Sequence, residues 1–335
     1  MFCINDTSYQ TTEYLIIGIF EIFAHIFAVY ATIRSVKIFL SITVFHENMN
    51  FMMACFLLQW FEAIIAKLIF LPYEYGYILI GDLKSTTSWY TTNPQQMVDI
   101  DDFDELLPLY VASVLLWHYI YTILICVIAI GIERTCATIY IHNYESTSRR
   151  QIPIILVLSC HMFSIPYSFF MANNRISFFF AFGILVFSLV TVSIMFLIVW
   201  RINVHLKFKM ECSGTMYNYS LGQQFQIKEN YKSMKLAKRL VATAVFFMGG
   251  SGALLIVLVF ELVPNIQLFA NHILMVSILL NPIAICPILM TCSKVWQRKF
   301  WNFIPMIFFS PSSEKSKPTI NETDVYFRQL KNAWI

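Results

Sequence analysis

The sequence predicts an all-α membrane protein: a bundle of seven transmembrane helices, N-terminus outside and C-terminus cytoplasmic, with a short interfacial helix after the seventh. Three observations carry this reading. Hydrophobic residues make up 58% of the 335 and charged residues 13%, against roughly 45–50% and about 25% in soluble chains. Seven stretches are apolar enough, and near enough to about 20 residues long, to cross a bilayer as helices. Finally, Lys and Arg collect in alternate connections. So few charges could not cover the apolar surface of a soluble fold. Disorder, collagen and coiled coil are excluded by the same composition. A net charge of +3 is too small to imply a nucleic-acid partner.

The first span covers 14–33. It lacks a basic leader and carries Glu21, so it does not read as a cleavable signal. The second to seventh spans cover 51–71, 106–132, 152–172, 176–200, 240–263 and 266–290. The fourth and fifth are separated by residues 173–175 alone, which reads as two helices joined by a tight turn. The chain then divides into an extracellular N-terminus (1–13), a seven-span domain (14–290) and a cytoplasmic tail (291–335). No internal repeat stands out, which weakens a transporter built on inverted repeats.

Orientation follows from the basic residues. With the N-terminus outside, the inner segments 34–48, 133–151, 201–239 and 291–335 hold 20 of the 23 Lys and Arg, and the outer segments hold Lys84 and Arg175. Lys67 lies within the second span, near its outer end, where it can snorkel. Asn5 is then an accessible glycosylation acceptor, whereas Asn218 and Asn321 match the same pattern on the inner side. The first outer loop carries Asp99, Asp101, Asp102, Asp104 and Glu105, a solvated face or a lure for cations. Between Lys294 and Phe303 aromatic and basic residues alternate, as suits a helix on the anionic inner leaflet. Cys292 beside it is a palmitoylation candidate, and the tail from Pro311 onward is polar.

Ionisable and polar groups within spans are costly, so each is a candidate. Glu21 and His25 share a face of the first span at i, i+4 and can pair. Glu62 lies deep in the second. Trp117, His118 and Tyr121 sit in the outer half of the third, and Gln267, Asn271 and His272 in the outer half of the seventh. A small-molecule ligand pocket between the second, third, sixth and seventh spans would take Glu62, Trp117, His118, Tyr121, Asn271 and His272. Each residue alone suits packing as well.

Enzymatic and cofactor signals are missing. There is no H-E-x-x-H, no G-x-S-x-G and no Gly-rich phosphate loop. The eight cysteines form no C-x-x-C pair, so a metal site is not indicated. Residues 266–290 hold no Lys for a Schiff base. Rings of polar residues for a pore are absent as well. A seven-helix small-molecule transporter or channel remains the rival reading.

The inner ends are more informative. Glu133-Arg134 closes the third span, and the acid-arginine pair at this place resembles the switch of G-protein-coupled receptors. Lys228, Lys232, Lys235, Lys238 and Arg239 lead into the sixth span and suit an acidic partner surface as well as simple anchoring. Gly249-Gly250-Ser251-Gly252 lies mid-span, where the helix could bend. Asn281-Pro282 and Pro287 should kink the seventh.

The stretches ERTCATIYIHNYE (133–145) and YSLGQQFQIKENYKSMKLAKRL (219–240), Phe45-His46-Glu47-Asn48-Met49, and NPIAICPIL in the seventh span resemble the nematode serpentine chemoreceptors of class e, the Sre family. The resemblance covers the seven-helix body. It implies a chemosensory receptor in the plasma membrane of sensory neurons, often at the cilium, coupled to a heterotrimeric G protein, with a homo- or hetero-dimer left open. Against the larger rhodopsin-like group, Thr135 replaces a Tyr, Ile285 ends the seventh-span motif, and Gly250 and its neighbours stand where a proline is usual. No Cys stands at the outer end of the third span to form the usual tethering disulfide.

Overall fold

The computed structural model describes residues 11–42, 44–78, 103–140, 150–212, 221–260, 262–263 and 267–302. The chain divides into two units, Met1–Phe300 and Trp301–Ile335, and the helical body is the first. Among the described residues there is no strand. Asn5, Lys84, the Asp99–Asp102 acids, Asn218, Asn321 and the tail from residue 303 onward lie outside them.

Seven helical stretches are long and apolar enough to cross a membrane. The first is α1 (Thr12–Ser41). The second is α2 (Glu47–Leu58) followed by α3 (Trp60–Glu74). Gln59 between them keeps right-handed helical angles (φ −55, ψ −27), so the two run on as one span. Then come α4 (Phe103–Ile139), α5 (Gln151–Ala172), α6 (Phe178–Cys212) and α7 (Leu221–Val259). The seventh span is α8 (Gln267–Leu279) plus α9 (Asn281–Met290), and α10 (Lys294–Trp301) follows.

Several helices outrun the apolar windows. α1 continues to Ser41, α6 to Cys212, and α7 begins at Leu221, well before residue 240. Hydropathy ends where charges begin, but Lys, Glu, Gln and Leu are good helix formers and carry the backbone ladder onward. The turn between α5 and α6 is short but takes residues 173–177, two more than the expected 173–175. Asn174 takes φ 51, the left-handed conformation that Asn tolerates. The Arg175 N–H closes back on the Phe170 carbonyl.

The seventh span breaks at Leu280, one residue before Asn281-Pro282, because Pro282 has no N–H to continue the ladder. The Gly249–Gly252 stretch does not break α7, which runs through it unbroken. A Cβ on Gly249 or Gly250 would meet nothing within 4 Å, so close packing does not demand glycine there.

Over the most apolar 18 residues of each span, α4 is the most buried and α7 the least. α4 packs against α2, α3, α5, α6 and α7 and so forms the axis of the bundle. One core cluster joins Trp60, Ala63, Phe70, Leu116, Tyr119 and Leu274. A second joins Phe39, Phe45, Met49, Leu236, Met290 and Trp296. Phe20, Phe23, Met162, Phe163, Phe187 and Leu197 face outward from α1, α5 and α6. Such broad apolar exposure is what lipid requires and water would penalise.

The basic residues of α1, α6, α7 and α10 gather at one end. There Arg34 donates from Nε to the Phe300 carbonyl at 2.9 Å, and from Nη2 to the Lys299 carbonyl. These are last-turn carbonyls of α10, which no residue of that helix can satisfy. Trp296 and Phe300 are buried, and the Trp296 indole donates to the Ile42 carbonyl at 3.2 Å. The apolar face of α10 is therefore docked on protein.

Candidate functional site

The six residues expected to surround one ligand fall into three places. Trp117 and Tyr121, one helical turn apart on α4, stack with ring centres 5.5 Å apart, and both line a cavity of about 220 Å³. Glu62 and His118 do not line it. His118 Nδ1 stands 2.6 Å from the Glu62 carboxylate and 3.2 Å from the Gln59 amide. Its Nε2 lies 3.3 Å from His161 Nδ1 on α5. Together these groups tie α3, α4 and α5, as buried polar groups in lipid must be tied.

Asn271 and His272 lie on α8, also outside the cavity lining. His272 Nε2 is 3.6 Å from the Glu21 carboxylate, and its ring meets Tyr14 edge-on at 5.9 Å. Asn271 is buried. Two expectations change here. His25 bonds the main-chain carbonyl of Glu21 at 2.8 Å, not its carboxylate, which turns toward α8. Lys67 does not snorkel: its Nζ sits 2.5 Å from Glu74 Oε2, and both side chains are largely buried. The i, i+7 spacing puts the two on one face of α3 two turns apart, within reach of each other.

The cavity lies between α2, α3, α4, α6, α7 and the seventh span. Its wall is almost entirely apolar and carries no charged side chain. Most of its polar groups are already engaged. The Asn281 amide donates to the Tyr119 hydroxyl at 2.7 Å, the Trp60 indole to the Leu279 carbonyl at 2.6 Å, and the Thr243 hydroxyl to the Arg239 carbonyl at 2.8 Å. Val127 and Ile130 line both this cavity and a smaller one of about 20 Å³ whose wall includes Arg134.

At the basic end Glu133 and Arg134 form a fork. Arg134 donates from Nε and Nη2 to the two carboxylate oxygens at 2.5 and 2.6 Å, and both side chains are almost fully buried. Bidentate geometry makes this a strong pair. Around it stand residues that the sequence reading did not single out for a role. Asn230 of α7 donates to the Ala137 carbonyl at 3.1 Å, and Asn203 of α6 to the Thr138 hydroxyl at 2.9 Å. The Glu229 carboxylate takes the main-chain N–H of His46. Burial, then the Arg134 charge, holds the His46 imidazole below its ordinary pKa and so keeps it neutral. Buried polar residues at i, i+4, Gln226 and Asn230, were the available signal for a helix contact here.

Lys235 and Lys238 remain exposed, with their ammonium groups over Tyr231 (5.0 Å) and Trp200 (5.8 Å). Arg239 donates to the Thr291 hydroxyl at 2.8 Å and approaches Cys292 Sγ at 3.6 Å. Burial raises the Cys292 thiol, and the Arg239 charge works against it. Among the described residues no group of His, Cys, Asp and Glu is arranged to hold a metal ion, and Cys55, Cys126, Cys136, Cys160, Cys286 and Cys292 are free thiols.

Comparison with known proteins gives one consistent answer. The family described as Sre G protein-coupled chemoreceptor matches residues 1–335. Serpentine receptor class epsilon-38 of Caenorhabditis elegans is 35% identical over 350 residues, covering 100% of this chain and 96% of that one. Class epsilon-37 of the same organism is 35% identical over 354 residues, covering 100% and 95%. Class epsilon-27 is 30% identical over 336 residues, covering 95% and 92%.

Proposed function

Because the chain belongs to the Sre family of G protein-coupled chemoreceptors, we propose that it transduces an extracellular small-molecule cue to a cytoplasmic heterotrimeric G protein. The carrying observation is that one pair of helices, α4 and α7, walls the central cavity and also meets at the buried Glu133–Arg134 fork through Asn230 and Ala137. A ligand that spreads α4 from α7 in the cavity strains the contact that closes the basic end. Once α7 swings away, Arg134 can reach a partner, and Lys235, Lys238 and Arg239 present positive charge to an acidic G-protein surface. The most apolar stretch of α7 is the least buried of the seven, so little buried surface there resists its movement.

In this reading the basic end faces the cytoplasm, the N-terminus is outside, and the receptor sits in the plasma membrane of a sensory neuron, at its cilium. Trp117 and Tyr121 meet the ligand. Glu62, His118, Asn271 and His272 act at one remove by fixing spans against each other. Asn281-Pro282 supplies the kink that sets α9 against Tyr119. The test is nucleotide exchange on a purified Gα driven by the reconstituted receptor and a ligand panel. Ligand-dependent exchange is expected. Ligand-dependent current or flux without any G protein would instead identify a channel or transporter.

A further inference from the structure

We infer that the central cavity takes an uncharged, largely apolar molecule with a ring or short chain and at most one or two weak hydrogen-bonding groups. This rests on the receptor reading above and goes further by naming the class of cue. Four observations carry it. The wall holds no Lys, Arg, His, Asp or Glu. Its aromatic and aliphatic side chains include Trp117, Tyr121, Phe182, Phe247 and Leu255. The hydrogen-bonding groups of Trp60, Tyr119, Asn281 and Thr243 point at partners within the protein. Ser251 on α7, Ser277 on α8 and Tyr121 on α4 carry the wall hydroxyls that take part in none of those bonds.

The physical consequence is selective. An ammonium or carboxylate entering this space would shed its water and find no opposite charge, a penalty that apolar contact does not offset. A neutral ketone, alcohol or hydrocarbon gains from every apolar contact and loses little at its one polar atom, which Ser251 or Ser277 can meet. The size agrees: an apolar cavity of about 150 Å³ holds benzene, and this one measures about 220 Å³. Ionisable groups beside the pocket residues are engaged elsewhere: Glu62 and His118 meet each other, and Arg239, next to Leu240, donates to the Thr291 hydroxyl. The intramembrane ionisable groups therefore do not define the cue.

The experiment uses the full chain in lipid nanodiscs and equilibrium dialysis, with empty discs subtracted. The neutral probes are acetophenone, cyclohexanol and toluene. Their charged counterparts are 1-phenylethylammonium, cyclohexylammonium and benzoate. At least one neutral probe is expected to bind saturably, with every charged counterpart at least tenfold weaker. Ala244→Phe, which fills the cavity from α7, should weaken the neutral probe tenfold or more, and Ala181→Phe fills it independently from α6. The inference is overturned by a charged probe binding as tightly as its neutral partner, by binding that neither filling variant disturbs, or by no neutral probe binding. Gα nucleotide exchange is read in parallel. Saturable neutral binding without exchange would remove the receptor reading and leave the cavity inference standing. Exchange driven by charged compounds would do the reverse.

Discussion

The indole N–H of Trp60 donates to the main-chain carbonyl of Leu279 at 2.6 Å, across the contact between α3 and α8. In an unbroken helix that carbonyl would accept from Ile283. Here Ile283 donates to Leu280 instead, because the ladder breaks ahead of Pro282. The break in the seventh span is thus completed by a side chain from the second. Trp60 is almost fully buried, so no water stands in for it.

Trp60→Phe keeps the ring but orphans the Leu279 carbonyl. A lost buried hydrogen bond costs about 1–3 kcal/mol. The thermal unfolding midpoint of the purified protein should fall accordingly. Pro282→Ala lets the ladder rejoin, so the double variant should lose less than the two single losses combined. Simple additivity would show that the indole bond and the break are unrelated.

The fork at the basic end predicts a divided outcome. Glu133→Gln weakens the hold on Arg134 and should raise basal Gα exchange. Asn230→Ala removes a tie worth about 1 kcal/mol, which is roughly fivefold in a two-state population, and should raise it too. Arg134→Ala should abolish ligand-evoked exchange while surface expression persists. Normal evoked signalling in a well-expressed Arg134→Ala variant would sink the switch.

Lys67 and Glu74 form a buried pair, so removing one partner strands the other. Lys67→Met or Glu74→Leu alone should each cost on the order of 3–5 kcal/mol, and the apolar double variant much less. Expression level and unfolding midpoint measure this. Single variants as stable as wild type would mean that water reaches the pair.

Orientation is checked by glycan mapping. Asn5 should accept a glycan, and Asn218 and Asn321 should stay bare. A glycan on Asn321 would place the basic end outside and reverse the coupling proposal.

Much of this was legible in the linear chain. Bilayer thickness and helical rise fix how many apolar residues make a span, so the seven spans could be counted directly. The tight turn before Arg175 and the break at Asn281-Pro282 follow from local backbone chemistry, and the neighbouring Glu133-Arg134 pair needs no distant contact to form. What the chain could not say is which polar groups meet. Periodicity places Glu62, His118 and His272 on faces of their own helices, but it does not fix how those helices rotate against one another. Tertiary packing turned Glu62 to His118 and His272 to Glu21, and it left Trp117 and Tyr121 facing an apolar space. The physical reason is that lipid is as apolar as a helix surface. Rotation is therefore set by the pairing of buried polar groups and by side-chain shape, and both belong to pairs of helices, not to any one of them.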